Sequence, residues 1–315
     1  MASNNCFSGL GAVDFCLAIA LFLRPAKLAF FGSEAGLASS LLLFICRGSA
    51  LIMDIHLQGK TKFVGKYFLH WPELDSTNEE ACRRLRSDWL PDGAVLATDF
   101  QTAGKGQHHH VWKSERGENL LFTVVFHQRI PISHQHVWNM AVSGACVTFL
   151  HEVGVGEAKL KWPNDLVVAG GKLGGLLITN QVRSANNWAS VVGIGLNLNQ
   201  IFPPEDRVTF PPVSVNQLRG NPVDREAALF RLLVLLEEAA IAFRSGRFAS
   251  ILETYQTHLF GRNFRVAFDG PEGVLQAQLM SVNENGEALV LLNGSEEQRF
   301  THPTYRLLGI PEGGN

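Results

Sequence analysis

The chain has 315 residues, 46% of them hydrophobic and 18% charged, which is long enough for one substantial core plus a smaller unit and too apolar for a disordered chain. Lys plus Arg total 27 against 29 for Asp plus Glu, a formal net charge of -2, so there is no general pull toward nucleic acid or an anionic membrane, and any anion must be gripped locally. The five cysteines, Cys6, Cys16, Cys46, Cys82 and Cys146, form no C-x-x-C pair, which argues against a disulfide framework or zinc site and for a reducing, cytoplasmic setting.

Residues 1–52 read as an apolar extension whose only cations are Arg24, Lys27 and Arg47. Its runs Phe15–Leu23 and Leu41–Cys46 fall well short of the roughly 20 residues of a spanning helix, and no cation precedes Phe15 as a secretory signal would require. A targeting peptide, a weak membrane-associating segment and translated sequence ahead of the true start are the three readings. The expectation adopted is the last, with Met53 opening an ordinary domain and no part for the extension in chemistry.

Strand-like chain begins at Lys66–Trp71. Ser76 with Glu79 three residues on has the pattern of a capping box, opening a short helix through Ala81 and Leu85. Gly93–Thr98 and Leu120–Phe126 read as strands, with a Gly- and His-containing loop between them. His136–Val153 carries Val137, Met140, Ala141, Val147 and Leu150 at helical spacing and stops at Gly154. Four strand-like stretches follow, Ala158–Trp162, Leu166–Val168, Leu173–Thr179 and Trp188–Leu198, with a hairpin turn at Gly170-Gly171. Ala227–Phe243 reads as a long helix. Beyond about Phe260 come short strands, Phe264–Phe268, Val274–Val282, Ala288–Leu292 and Gln298–Phe300, separated by turns at Asp269–Pro271, Asn283–Gly286 and Asn293-Gly294. The pattern predicts an α+β fold: a mixed sheet with packed helices over 60–257, then a small β-barrel over 258–315.

Four segments carry chemistry. Gln101–Trp112 sets Lys105 between Gly104 and Gly106, so that backbone N–H groups and a cation can close on an anion. Lys161-Trp162-Pro163-Asn164-Asp165 is a strand end turning through proline, with a Lys-Trp pair that turn chemistry alone does not explain. Gly171-Lys172-Leu173-Gly174-Gly175 opens an apolar strand that loses two side chains in succession, the mark of a bulge or of a ligand pressed on backbone. Gly193-Ile194-Gly195-Leu196-Asn197 repeats that signature next door. Each segment alone is ordinary structure; their conjunction in this order is not.

Together with Asp75–Asn78, these segments resemble the ordered signature of biotin–protein ligases, from about residue 66 to the C-terminus. The resemblance implies a class II synthetase-like catalytic domain and an SH3-like C-terminal barrel. With no helix-turn-helix pattern ahead of it, it points to the non-repressor class. It also implies the reaction. Biotin and ATP would give biotinyl-adenylate and pyrophosphate, and the adenylate would pass biotin to a lysine of the biotin carrier domain of acetyl-CoA carboxylase or a related carboxylase. Mg²⁺ would be held by phosphate oxygens and water. Nucleic acid and firm membrane association are not expected, and a homodimer is compatible with the reading.

Residue by residue, the resemblance assigns biotin to Ser76, Thr77, Asn78, Gln101, Gly104, Lys105, Gly106, Gln107, Lys172 and Gly175. Nucleotide falls to Trp112, Lys161, Asn164, Gly193, Gly195 and Asn197, and catalysis to Lys172, Lys105 and Asp165, the last orienting the carrier's amine or taking its proton. The chain departs from the family where Lys105 replaces an arginine, Gln107 stands where a second arginine is common, and His108, His109 and His110 follow. A lysine lacks the bidentate fork, so looser retention of the adenylate is expected. Three adjacent histidines on a loop point different ways and read as a solvated turn rather than a metal site. The alternatives are a lipoate–protein ligase-like enzyme and a non-catalytic binder of biotin or its adenylate.

Overall fold

The computed structural model describes residues 45–47, 50–53, 60–87, 89–107, 110–168, 170–205 and 209–310. The rest of the apolar extension, and His108 and His109 of the triplet, lie outside the described residues. Nine strands form one sheet: β1 (Ile45–Arg47), β2 (Ala50–Met53), β3 (Phe68–Trp71), β4 (Ala94–Thr98), β5 (Leu120–Gln128), β6 (Lys159–Lys161), β7 (Asp165–Val168), β8 (Gly171–Ser184) and β9 (Asn187–Leu196). Their order is β1-β2-β3-β4-β5-β9-β8-β7-β6. Every neighbouring pair is antiparallel except β3 and β4. That parallel pair requires a crossover, supplied by helix α1 (Thr77–Ser87).

Residue alternation sorts the layers. In β4, Ala94 and Leu96 join a cluster with Ala81 and Leu85 of α1, while Val95 and Ala97 face the larger core. That is the period-2 consequence of the pleat. Ala81 and Leu85, four residues apart, lie on one face of α1. The larger core is covered by α2 (Gln135–Glu152), α4 (Arg225–Arg244) and α5 (Phe248–His258), with a short α3 (Val215–Arg219) between α2 and α4 in the chain. Trp138, Phe149, Leu232 and Phe243 are among its fully buried side chains. Among the described residues no helix is long and apolar enough to cross a membrane.

Three expectations need correction. Ser76 does cap α1, its Oγ accepting from the Glu79 N–H at 3.4 Å, but the Ser76 N–H is taken by Asp75 Oδ1 at 2.7 Å. Glu79 turns away to Lys105 at 2.8 Å, so no reciprocal box forms there. The box sits instead at Ser214 and Gln217, ahead of α3. Second, strands β1 and β2, helices α3 and α5, and the last strand were not foreseen. β2 pairs with β3 through Leu51↔His70 and Ile52↔Leu69, so residues inside the presumed extension share the main sheet.

Third, the C-terminal unit is not a closed barrel. Its strands β10 (Arg265–Gly270), β11 (Gly273–Val282), β12 (Ala288–Leu292), β13 (Glu296–Phe300) and β14 (Arg306–Gly309) run in the order β13-β12-β11-β10-β14. It is an antiparallel sheet of SH3-like size whose end strands do not pair. Five short strands coil over Phe268, Leu279 and Phe300 without the stagger that brings two edges together. The unit is bonded to the main sheet by Phe260 N–H donating to Leu160 O at 2.8 Å, and by the Trp162 indole N–H donating to Gly286 O at 2.9 Å.

Candidate active site

Glycine makes the floor. Leu177 pairs with Gly193, and Gly175 with Gly195. A Cβ on Gly193 would stand 2.5 Å from Asn78 Nδ2, and one on Gly195 would stand 2.7 Å from the Trp112 ring. The two bare positions therefore let side chains from α1 and from the 101–112 loop lie directly on backbone. Gly174 has a different reason: its Cβ would meet Gly195 O at 2.6 Å, a requirement of strand packing rather than of the site. The register of β7 with β8 shifts between Leu166 and Val167. That irregularity buries Leu173 while bringing Lys172 to the same cavity as Gly175.

Above this floor is a cavity of about 460 Å³. At one end Ser76, Thr77 and Asn78 are buried at the start of α1. Thr77 donates from its N–H and its Oγ1 to Gln101 Oε1 at 2.9 and 3.3 Å, and accepts from Thr123 Oγ1 at 2.9 Å. Asn78 Nδ2 donates to Leu177 O at 2.8 Å. The loop beyond Gln101 folds on itself, with Trp112 N–H donating to Gly104 O and Gly106 N–H to His110 O at 2.9 and 2.7 Å. Lys105, Gly106, Gln107, His110 and Trp112 all border the cavity.

The middle of the cavity is ionic. Lys172 Nζ lies 2.6 Å from Asp165 Oδ1, and Lys161 Nζ lies 3.5 Å from Asp165 Oδ2. Asp165 is the one carboxylate among the described residues lining the cavity. Burial pushes the Lys161 ammonium below the usual lysine value; Asp165 opposes the shift, and Lys172 and Arg306 reinforce it. Asn164 donates its side-chain amide to Leu176 O, which holds the turn after β6 against β8.

Most residues assigned from sequence meet in this one cavity; two do not. Gly104 lies at the back of the loop, where a Cβ would meet Trp112 O at 2.6 Å, and borders only an adjoining, more open groove. Asn197 is 3% exposed and spends its amide on Lys172 O and Val213 O, both at 3.2 Å. It braces the lysine's backbone instead of facing the cavity. Sequence reasoning missed the far end, where Thr209, Phe210, His302, Arg306, Leu307 and Leu308 line the wall. Phe210 lies with Lys161 Nζ 5.2 Å from its ring centre, in a segment that runs beside Lys172 through the Lys172↔Pro212 bridge. No motif signals these residues, because the fold alone brings them to the site. Among the described residues, no three His, Cys, Asp or Glu side chains gather closely enough to hold a metal ion.

A mixed sheet with its glycine-floored cavity at the ends of β7, β8 and β9 is the fold of biotin protein ligases. The Aquifex aeolicus biotin protein ligase solved with biotin and ATP superposes with a TM-score of 0.63 at 23% identity, over 76% of this chain and 97% of that one. The sequence profile of the biotin/lipoate A/B protein ligase family matches residues 71–197. The biotin–[acetyl-CoA-carboxylase] ligase of Mycobacterium tuberculosis is 31% identical over 213 residues, 64% of this chain and 77% of that protein. The bifunctional ligase/repressor BirA of Bacillus subtilis is 24% identical over 76% of this chain and 74% of its own length. The chain belongs to the biotin/lipoate A/B protein ligase family, on its biotin–protein ligase branch.

Proposed function

We propose that this protein activates biotin with ATP and transfers it to a lysine of a carrier domain, in two half-reactions within the one cavity. The observation that carries the reading is the Lys172–Asp165–Lys161 cluster, set between a polar wall at Thr77, Asn78 and Gln101 and an open far end. The wall suits the ureido ring of biotin. The ring's side chain would then run over the glycine floor and bring its carboxylate toward Lys172.

In the first half-reaction a carboxylate oxygen bonds to the α-phosphorus, the α–β phosphoanhydride bond breaks, and pyrophosphate leaves with the electron pair. Lys172, drawn off Asp165 by the arriving anions, offsets charge that grows in the transition state. Asp165 is thereby released to receive the carrier's ammonium group in the second half-reaction. There it orients the amine and takes its proton as nitrogen attacks the mixed anhydride and AMP departs. The loop from Lys105 to Trp112 would exclude water from that anhydride.

Asp165 alone does not make a protein cage for Mg²⁺, so the ion is assigned to the phosphates of ATP, and no step here runs through it. The carrier assignment, to the biotin carrier domain of acetyl-CoA carboxylase or a related carboxylase, is supported by the name of the Mycobacterium tuberculosis relative. A cytoplasmic setting is supported by the free thiols of Cys82 and Cys146. The test is isotope exchange between pyrophosphate and ATP. Exchange that needs biotin, is absent with lipoate and is lost in Lys172→Ala supports the reading; biotin binding without exchange overturns it.

A further inference from the structure

Asp165 holds two cations, one on each oxygen. Lys172 Nζ lies 2.6 Å from Oδ1, and Lys161 Nζ lies 3.5 Å from Oδ2. The two lysines are not equally seated. Lys172, near the start of β8, has a side chain 34% exposed. Lys161 ends β6, its side chain is 13% exposed, and it stands across the β6–β7 hairpin from Asp165 as a register pair. Its ammonium also lies over the Phe210 ring, 5.2 Å from the ring centre. The next residue, Trp162, is buried and donates to Gly286 O at 2.9 Å, which anchors the backbone beside it. The charged groups acting on Lys161 are Asp165 on β7, Lys172 on β8 and Arg306 on β14. The ion-pair partners of Asp165 are the two lysines. One carboxylate thus carries an exposed cation that can leave and a buried one that cannot follow it.

Resting on the proposed two-step reaction, we infer that Lys161 is a positioning residue of the second half-reaction, keeping Asp165 ionised and aimed at the carrier's amine once Lys172 has moved to the phosphate. The adenylate retains one phosphate, so Lys172 stays with that charge during transfer. Asp165 Oδ1 is then open. A partly buried carboxylate left without any cation takes up a proton more readily and loses its hold on an ammonium group. Lys161 on Oδ2 prevents both, and leaves to the carrier the oxygen that Lys172 held. The carrier's ammonium sheds one proton to water. As nitrogen bonds to the carbonyl carbon of the mixed anhydride, a second proton passes to Oδ1, and the C–O bond to phosphate breaks with AMP keeping the electron pair. Lys161 exchanges no proton in these steps. The role also accounts for the Lys-Trp pair that turn chemistry left unexplained: Trp162 seats the turn on the C-terminal sheet, and Lys161 holds the carboxylate that the turn presents.

The experiment separates the halves. Transfer from chemically prepared biotinyl-adenylate to a biotin carrier domain is measured against pH for the full-length protein, Lys161→Met, Lys161→Gln and Lys161→Arg. Biotin-dependent pyrophosphate release and biotin affinity are measured beside it. For Lys161→Met, transfer near neutral pH should slow roughly tenfold, the scale of one lost charged contact, and the acid limb of its profile should move to higher pH. Pyrophosphate release should fall by less than about threefold, because Lys172 still meets the arriving anions. Biotin affinity, the check on folding, should hold. Lys161→Gln, which keeps a polar end should the apolar one unsettle the fold, should behave in the same way. Lys161→Arg should restore the acid limb and most of the rate. An acid limb that stays in place without the cation, or a loss as large in pyrophosphate release as in transfer, would overturn the assignment. Absence of transfer from the prepared adenylate by the unaltered protein would instead count against the two-step reading itself.

Discussion

Gly195 shows how little room the site allows at single positions. Its missing side chain is the space that the Trp112 ring occupies, and a Cβ there would come within 2.7 Å of the ring and 3.0 Å of Cδ2. Gly195→Ala should displace Trp112, and with it the loop proposed to cover the adenylate, raising KM for ATP roughly tenfold while leaving biotin affinity within about twofold. Calorimetry of each ligand checks this, and equal losses for both would contradict it. Lys105 makes a second case. Its ammonium is 2.8 Å from Glu79 and half exposed, so in the free protein it tethers the loop to α1 as a single point charge. A lysine keeps the charge of the family's arginine without the fork. Lys105→Arg should therefore lower the release of biotinyl-adenylate into solution, measured as adenylate outside the protein per turnover, and equal release would sink the idea.

Glu237 of α4 illustrates what fastens one element to another. It is 4% exposed and accepts three backbone N–H groups, from Lys62, Phe63 and Val64, at 2.7, 2.8 and 2.9 Å. The carboxylate thereby satisfies donors that would otherwise be stranded at the chain's approach to β3. Glu237→Ala should cost about 3 kcal/mol, seen as a lower denaturation midpoint without a shift in KM for biotin. Elements built on local pattern were legible in sequence. The spacing of Val137, Met140, Ala141, Val147 and Leu150 gives α2, and the glycines of β9 mark where the Asn78 and Trp112 side chains meet backbone. The short helices α3 and α5 lacked such periodicity, and β14, four residues long, is defined mainly by its pairing with β10. Asn197 was misread because an asparagine beside glycines suits a ligand as well as it suits a backbone brace, and only tertiary structure shows Lys172 O and Val213 O within its reach. Arg306, Phe210 and His302 were invisible for a related reason: none lies in a motif, Arg306 and His302 reaching the cavity through the docking of the C-terminal sheet and Phe210 through the bridge of its segment to Lys172.

At the scale of the whole molecule, long-range ion pairs tie distant segments, and they make stability depend on pH. Asp99, after β4, is 3.4 Å from His70 of β3 and 3.0 Å from Arg225 of α4. Burial pushes its carboxyl up, but His70 and Arg225 together hold it below its ordinary value of 3.8. Because the folded value lies below the unfolded one, this contribution is complete above the unfolded value and is lost as pH falls through the folded value. Asp99→Asn should thus lower stability near neutral pH yet lose less than the unaltered protein between about pH 5 and pH 3; parallel acid-dependence in the two proteins would contradict it. The same architecture, one cavity walled by α1, floored by β8 and β9 and bordered at its open end by the C-terminal sheet, suits the proposed activity. Its most direct test is the mass of a biotin carrier domain after incubation with the protein, ATP, Mg²⁺ and biotin. The account predicts a gain of one biotin on one lysine, dependent on ATP and abolished in Lys172→Ala; an unmodified carrier, from a protein that nonetheless binds biotin, would contradict it.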